Sequence, residues 1–315
     1  MVNINQTKTK ILITGGLGFL GTALTDKLIN LNYQVVIFDN YRWGNKNYYN
    51  KKVKIIKGDV RNKKDWEKIP KCDYVFHFGS PSSIVLFNKN LKECVDITIK
   101  GFINCIHWGI SNKVKKIIYP SSGSVYGNNK KNTENRVSIP VNVYGKTKLI
   151  CEQIAKTYEE KIPLLGLRIF AGFGPQEFHK NGFASVVTLI YKKMIVNKPP
   201  LIFGDGNQKR DFIYIDDIVK VCVAVLNNNI TGIINVGSGQ AISFNKVVFL
   251  FNLLLKKNIK SLYKKSPKNY FDSRKADISK LKNLLNYSPT SFKESLLKYL
   301  KAAQTFSNKK IVIIK

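Results

Sequence analysis

The sequence predicts an α/β protein built on a doubly wound parallel sheet, followed by a smaller part of mixed structure. Three observations carry this reading. Short β-branched runs alternate with longer helical stretches through the first half. A glycine-rich turn joins the first run to the first helical stretch, and the rhythm changes after Gly172-Phe173-Gly174-Pro175. Strands are expected over residues 10–14, 34–38, 53–57, 74–78, 116–120 and 164–169, with helices between them over 20–31, 91–110 and 144–158. Further on, a helix is expected near 183–196, short strands near Leu201 and Phe212, and a helix from Asp216. Two more helices should start at Ser243 and Ser291; Ser291 and Glu294 have capping-box spacing. For 315 residues the length favours two domains over one. They are expected as 1–170, with part of 211–236 packing on it, and a smaller substrate domain over 171–310.

Hydrophobic residues make up 44% and charged residues 23%, a balance that excludes a fully disordered or collagen-like chain. No apolar run approaches the roughly 20 residues that span a bilayer; the longest, 247–255, is interrupted by Asn252. Residues 1–10 lack the apolar core and cleavage site of a secretory leader, so the expectation is a cytoplasmic protein without membrane contact. The five cysteines are odd in number and never paired as Cys-x-x-Cys, which argues for reduced thiols and no zinc site. Fifty-two basic against 20 acidic residues give a net charge of +32, a field that would draw polyanions. The lysines are spread along the whole chain, so a bias on solvated faces is preferred, and nucleic-acid binding is the rival.

Thr14-Gly15-Gly16-Leu17-Gly18-Phe19-Leu20-Gly21 follows the first strand and opens the first helix. Gly15 allows a tight turn, Gly18 the close approach of a pyrophosphate, and Gly21 the packing of helix on strand. The helix N-terminus, with Phe19 and Leu20 on its first turn, offers N–H groups and a positive dipole end to the phosphates. Asp39, followed by Asn40, ends the second strand 18 residues beyond Gly21. A carboxylate there accepts hydrogen bonds from ribose hydroxyls and repels a 2′-phosphate. Two such charges about 4 Å apart at an effective dielectric of about 20 interact by roughly 4 kcal/mol, which favours NAD. Arg42 nearby keeps NADP open. Asp59, with Val60 after it, is placed to meet the adenine edge or to make a turn. Phe78, Gly79 and Ser80 end the fourth strand beside the cofactor, while His77 reads as structural. Three histidines without ligand spacing argue against a metal.

Tyr144-Gly145-Lys146-Thr147-Lys148 places a tyrosine and a lysine one helical turn apart. Tyr48 with Lys52 and Tyr126 with Lys130 share the spacing, but only Tyr144 leads into a long helix and follows a serine-rich strand end, Pro120-Ser121-Ser122-Gly123-Ser124. A tyrosine with pKa near 10 needs about 4 kcal/mol of preference for the phenolate to fall by about 3 units. A lysine within about 5 Å supplies roughly 3 kcal/mol of it, and a positive nicotinamide adds to this. Tyr144 can then remove a hydroxyl proton as hydride leaves the same carbon, with Ser122 steadying the oxygen.

With these residues in place, the chain resembles the extended short-chain dehydrogenase/reductases, in the NAD-dependent sugar epimerase/dehydratase group. It is most similar to nucleotide-sugar 4-epimerases of the UDP-glucose 4-epimerase kind. Further stretches that carry the resemblance are Gly58-Asp59-Val60, Leu167-Arg168, Phe203-Gly204-Asp205-Gly206, Arg210-Asp211-Phe212 and Ala276-Asp277-Ile278-Ser279-Lys280. The resemblance implies a Rossmann-type domain with a smaller nucleotide-sugar domain, and a homodimer made by the helices after the fourth and fifth strands. It implies Ser122, Tyr144 and Lys148 as the catalytic set and Thr98 near the cofactor. It also implies Ser82 and Ser122 beside the substrate, Arg210 and Arg274 as a diphosphate clamp, Phe203 against the base and Asp277 near its ribose. A planar guanidinium suits that clamp because it meets phosphate oxygens in pairs.

Family dehydratases and decarboxylases carry acids after the serine, where this chain has Gly123 and Ser124. Both reactions are therefore disfavoured. What remains is 4-epimerisation, with hydride leaving carbon 4 and returning to the other face, most of all between UDP-glucose and UDP-galactose. The alternatives are an NAD(P)-dependent nucleotide-sugar reductase and, in a different class, a cofactor-binding RNA-contact or scaffold protein. Two positions depart from the family pattern, because Ala171 and Thr98 stand where members commonly have asparagine. The apolar residues 311–314 are expected as an added edge strand or a contact between subunits.

Overall fold

The computed structural model describes residues 8–129, 132–266 and 273–312, with side chains as far as residue 305. In chain order its strands are β1 (Lys10–Thr14), β2 (Gln34–Asp39), β3 (Lys54–Lys57), β4 (Tyr74–His77), β5 (Lys116–Ser122), β6 (Leu164–Ile169), β7 (Ala171–Phe173), β8 (Leu201–Phe203), β9 (Lys209–Arg210), β10 (Phe212–Tyr214), β11 (Gly232–Val236), β12 (Ile242–Ser243) and β13 (Leu262–Lys264). The helices are α1 (Phe19–Asn30), α2 (Lys63–Trp66), α3 (Ile84–Lys89), α4 (Leu91–Ser111), α5 (Val143–Thr157), α6 (Val186–Met194), α7 (Ile215–Ala224), α8 (Phe244–Leu255), α9 (Ser279–Leu285) and α10 (Phe292–Val312).

Seven strands form one sheet in the order β3, β2, β1, β4, β5, β6, β11. The pairs β1/β2, β1/β4, β2/β3 and β4/β5 are parallel, in a register that sets Thr14 between Phe38 and His77. Strands buried on both faces read as continuous apolar runs, and Ile11 to Ile13 and Val35 to Phe38 are all buried. The chain runs from β1 outward to β2 and β3, then returns to lay β4 on the other side of β1. The connections therefore diverge at the carboxyl ends of β1 and β4, the switch point where such sheets bind ligands.

Two of the expected strands have their observed bounds, β1 and β6, and the others differ by one or two residues. β5 continues past Pro120 to Ser122, since a proline removes one donor but leaves the backbone extended. The helix expected near 183–196 begins at Val186, after Ser185 caps it by accepting from the Thr188 amide at 3.3 Å. Ser243 caps α8, and Ser291 Oγ accepts from the Glu294 amide at 3.3 Å. The edge strand expected at 311–314 is corrected as far as residue 312, which is helical. No glycine or proline interrupts 292–312, so the helix that Ser291 starts has no reason to stop earlier. Residues 313 and 314 lie outside the described residues. β11 was not expected, because its run of five residues lies between two helical stretches.

The chain divides into two compact units, 1–121 with 146–167 and 222–233, and 122–145 with 168–221 and 234–315. In the first, Phe38, Trp66, Phe102 and Tyr119 anchor the core against apolar side chains of β1, β4 and α4. All five cysteines, Cys72, Cys94, Cys105, Cys151 and Cys222, are buried and unpaired within that unit. At the end of β3, the Arg61 guanidinium grips Asp59 through Nε at 2.9 Å and Nη2 at 2.7 Å.

The second unit has an aromatic centre, Phe173 with Phe212, Tyr214, Phe292 and Tyr299. Its polar interior is organised by Asp211, whose buried carboxylate accepts from the Ser238 amide and hydroxyl at 2.7 Å each. The same carboxylate accepts from the Gly239 and Ala276 amides at 2.9 Å. Asp211→Ala leaves these donors unpaired in the interior, at an expected cost of about 3–5 kcal/mol. Urea unfolding measures it, and a loss below about 1 kcal/mol would show that the segments hold without the carboxylate. Arg61 holds the Asp59 carboxyl down from its ordinary 3.8 to about 2. A folded-state pKa below the unfolded one stabilises at pH values above both and loses that contribution as pH falls from about 4 through about 2. Asp59→Asn should therefore flatten the acid limb of a stability titration in that window.

Candidate active site

β1 ends in a turn that admits no side chain at Gly15. Its φ is +64°, and a Cβ there would lie 2.6 Å from the Phe78 carbonyl oxygen and 2.7 Å from the Gly79 amide. A Cβ on Gly21 would meet the Gly15 oxygen and Gly16 Cα at 2.6 Å, so α1 sits directly on the turn. Gly18 starts α1 without a side-chain cap. The turn, the helix end and the β4 terminus make a cradle whose floor is backbone, which fits the pyrophosphate of a dinucleotide such as NAD.

Asp39 is buried at the end of β2 and accepts from the Leu17 amide at 3.1 Å and the Tyr41 amide at 2.7 Å. Burial raises its pKa, opposed by those amides. Each oxygen keeps a second lone pair for a hydroxyl. Asn40 Nδ2 donates to Asp59 at 3.3 Å, and the Val60 carbonyl accepts from Trp66 and Asn104, so these three are tied into the sheet end. Arg42, which kept NADP open, is paired with Glu93 and lies 4.9 Å over the Trp43 ring. Phe78 and Gly79 donate their amides to the Thr14 carbonyl and hydroxyl, both at 3.0 Å. His77 is buried, bonded to Thr14 Oγ1 through Nδ1, and pushed down to about 3 by burial and then Lys148, so it is neutral and structural. Thr98 is buried with its hydroxyl donated back to Cys94 in its own helix, and Ser82 is exposed in the loop before α3.

Ser122 ends β5, and its Oγ accepts from the Ser124 amide at 3.1 Å. Tyr144 is buried on the first turn of α5 and hydrogen-bonded to Ser122. Burial raises its pKa, with Ser122 and Arg274 opposing. One turn along α5, Lys148 donates to Ser80 Oγ at 2.8 Å, and burial pushes its ammonium down to about 8. The other two tyrosines of the same spacing are excluded by their partners. Tyr48 is bonded to Asp26 at 2.7 Å, and burial, then that carboxylate, disfavours its phenolate. The Tyr126 hydroxyl is locked between Asn235 and Arg168 at 2.7 and 2.8 Å; Lys130 lies outside the described residues.

Tyr144 belongs to the second unit, and further expected residues lie in the same unit. Arg274 donates to Ser124 Oγ at 3.2 Å and to the Gly127 carbonyl at 3.1 Å, and its charge acts on Tyr144. Burial and then the charge of Arg210 disfavour the Arg274 cation. Arg210 itself lies 5.5 Å over the Phe244 ring. Phe203 is partly exposed at the end of β8, and Asp277, just before α9, accepts from the Ser279 amide at 2.9 Å.

Three residues that hold these segments in place are not among the candidates the sequence singles out. Arg61 stands two residues after Asp59, which it grips. Asp211 has no periodic signature, because its partners are backbone amides far along the chain. Glu152 is legible: Tyr144, Lys148 and Glu152 recur every four residues, hence on one face of α5. Glu152 accepts from Ser121 Oγ at 2.5 Å, tying α5 to the strand end just before Ser122. Among the described residues, no group of three or more His, Cys, Asp or Glu could hold a metal ion.

A family model described as "NAD dependent epimerase/dehydratase family" matches residues 11–237. A protein of Methanocaldococcus jannaschii with the provisional name UDP-glucose 4-epimerase is 36% identical over 244 residues, 75% of this chain and 79% of that protein. The solved UDP-glucose 4-epimerase of Thermotoga maritima, with UDP-glucose, superposes with a TM-score of 0.89 at 26% identity, over 94% of this chain and 100% of that one. The UDP-glucuronic acid 4-epimerase of Bacillus cereus, in complex with UDP-glucuronic acid and NAD, does so with 0.82 at 30% identity, over 95% and 100%. With the family model running from β1 through β11 and a relative more than one-third identical over three-quarters of its length, the chain belongs to the NAD-dependent epimerase/dehydratase family.

Proposed function

We propose that this protein is a nucleotide-sugar 4-epimerase of the UDP-glucose/UDP-galactose type, working through transient oxidation at carbon 4 with tightly bound NAD. The hydrogen bond between Ser122 and Tyr144, with Lys148 one turn along the same helix, carries the proposal. The UDP-sugar epimerase relatives support the substrate class. NAD, when bound, accepts hydride and gives it back. Tyr144 Oη takes the proton of the carbon-4 hydroxyl, and Ser122 Oγ donates to the same oxygen as it becomes a carbonyl. On return the proton moves back from Tyr144. The Lys148 ammonium, mostly charged below pH 8, favours the phenolate that burial alone disfavours. Gly123 and Ser124 supply no acid for elimination.

The remaining assignments belong to the same reading. The cradle of Gly15, Gly18, Phe19, Leu20 and Gly21 takes the pyrophosphate, and Asp39 takes the adenosine ribose, with Asn40, Asp59, Val60, Phe78, Gly79, Ser80 and Thr98 around the cofactor. NAD is favoured over NADP by the Asp39 carboxylate and by the pairing of Arg42 with Glu93. Arg210 and Arg274 are clamps for a diphosphate, with burial and then the charge of Arg210 disfavouring the Arg274 cation until an anion binds. Phe203, Asp277 and Ser82 serve the nucleotide and sugar. Residues 1–170 act mainly as the cofactor domain and 171–310 as the substrate domain. The protein acts in the cytoplasm as a homodimer through α4 and α5, supported by the exposed Leu91 and Ile150. No helix of the described residues is long and apolar enough to cross a membrane.

The test is turnover of UDP-, dTDP-, GDP- and CDP-sugars with product identification by NMR. A carbon-4 epimer formed without net cofactor consumption is expected; stoichiometric cofactor oxidation would mean a reductase instead. Tyr144→Phe should lower kcat by about 10²–10⁴ with the fold intact by circular dichroism. Asp39→Asn keeps an acceptor but removes the charge, and should move the ratio of NADP to NAD affinity toward NADP by at least about 10-fold. Calorimetric titration of both cofactors measures the shift, and an unchanged ratio would remove Asp39 from cofactor selection.

A further inference from the structure

Part of the lysine excess is concentrated on one face of the second unit, together with apolar side chains that the fold leaves outside. On α8, Lys246, Phe249 and Leu253 follow one another at spacings of three and four, so they form a single stripe, and Lys256 caps the end of the helix just beyond it in a left-handed conformation. Phe249 and Leu253 are each 56% exposed, while Phe244, Val247, Val248 and Phe251 fill the opposite, buried face. The Lys246 ammonium lies 4.6 Å over the Phe249 ring, beside the apolar surface rather than away from it.

The stripe continues into its neighbours. The Tyr263 hydroxyl donates to Asn245 at 3.0 Å, which seats β13 against the start of α8. Leu262 is 57% exposed and pairs in register with the exposed Leu201 of β8. At the other end of α8, Lys257 donates to the Met194 and Ile195 carbonyls at 2.7 and 3.0 Å. Those bonds bring up Ile195 and Val196, 44% and 58% exposed. No aspartate or glutamate occurs between residues 218 and 266, whereas Lys256, Lys260 and Lys264 are exposed on this stretch.

We propose that this face, built on α8, β13 and the end of α6, docks the protein on the surface of a bilayer that carries anionic lipids. Aromatic and aliphatic side chains interleaved with lysine are the composition of surfaces that lie in the headgroup boundary without spanning it. A leaflet rich in anionic lipid attracts such lysines within about a Debye length. Charge argues against a second copy of the chain as the occupant, since two such faces would bring lysines against lysines. Phe249 and Tyr263 are the face's exposed aromatic rings among exposed Leu201, Leu253, Leu262, Ile195 and Val196, and a surface mostly aliphatic offers bases few stacking platforms, which argues against single-stranded nucleic acid. Membrane docking does not depend on the sugar or on the reaction proposed above.

The full chain would be co-sedimented with vesicles of phosphatidylcholine alone and of phosphatidylcholine with about one-third phosphatidylglycerol, at about 0.1 and 0.5 M salt. The expected result is pelleting with the anionic vesicles only, weakened by salt. Phe249→Ser with Leu253→Ser, and separately Lys256→Glu with Lys260→Glu, should lower the bound fraction at least about 10-fold. The control, Lys51→Glu with Lys52→Glu, makes the same charge change in the first unit and should pellet as the wild type. Thermal unfolding close to wild type would establish that each variant is folded. Absence of pelleting, equal loss in the control, or undiminished binding by folded face variants would overturn the proposal. So would a fall in oligomer mass by light scattering on Phe249 and Leu253 substitution, which would make the face a subunit contact. Selective loss of RNA binding on substitution of this face, with vesicle binding unchanged, would assign it to nucleic acid instead.

Discussion

There is no room for a methyl group at Gly15, and the cofactor side of the first unit is arranged around that fact. The positive φ turns the chain sharply after β1, and the missing Cβ lets the turn touch the backbone at the end of β4. Gly21 then allows α1 to rest on the same turn, and the Asp39 carboxylate takes the Leu17 amide, joining the end of β2 to it. Three elements thus converge within backbone contact at the point where the strand order reverses. An alanine at residue 15 would have to push β4 aside, and with it the Phe78-Gly79 terminus that Thr14 holds by two hydrogen bonds.

Around Tyr144 and Lys148 the limiting quantity is desolvation. Burial raises the pKa of Tyr144 and lowers that of Lys148, so the protein interior favours the neutral form of each. The geometry resists this in stages. Ser122 and Arg274 favour the Tyr144 phenolate, Ser80 accepts from the Lys148 ammonium, and the tie from Glu152 to Ser121 fixes α5 to the strand end. The environment of Tyr144 thus differs from that of Tyr48, bonded to Asp26, and of Tyr126, bonded to Asn235 and Arg168, although all three share the spacing to a lysine.

Much of this is visible in the amino-acid order. Buried parallel strands write themselves as apolar runs, and a glycine turn has a spacing, so β1, β6, the cradle and the Tyr144–Lys148 pair could be located before any coordinates. Backbone-directed contacts leave no such trace. Asp211 binds amides at 238, 239 and 276, and no periodicity connects those positions. At Thr98 the sequence shows a hydroxyl on a helix, but the return of that hydroxyl to Cys94 depends on a rotamer. Arg42 also needed the structure, since its partner Glu93 lies 51 residues away.

The five cysteines have a practical consequence. All lie in the first unit, none occurs in the second, and each is buried with its thiol pKa raised, to about 12 at Cys72 and Cys222 and about 11 at Cys151. A buried thiol of high pKa reacts with labelling reagents only when its surroundings open. The chain therefore carries an intrinsic reporter confined to one of its two units: thiol-labelling rates under native conditions follow the opening of the dinucleotide-cradle unit and are blind to local opening elsewhere. Set beside a probe that senses the whole chain, they can tell whether the two units open as one cooperative body or in succession.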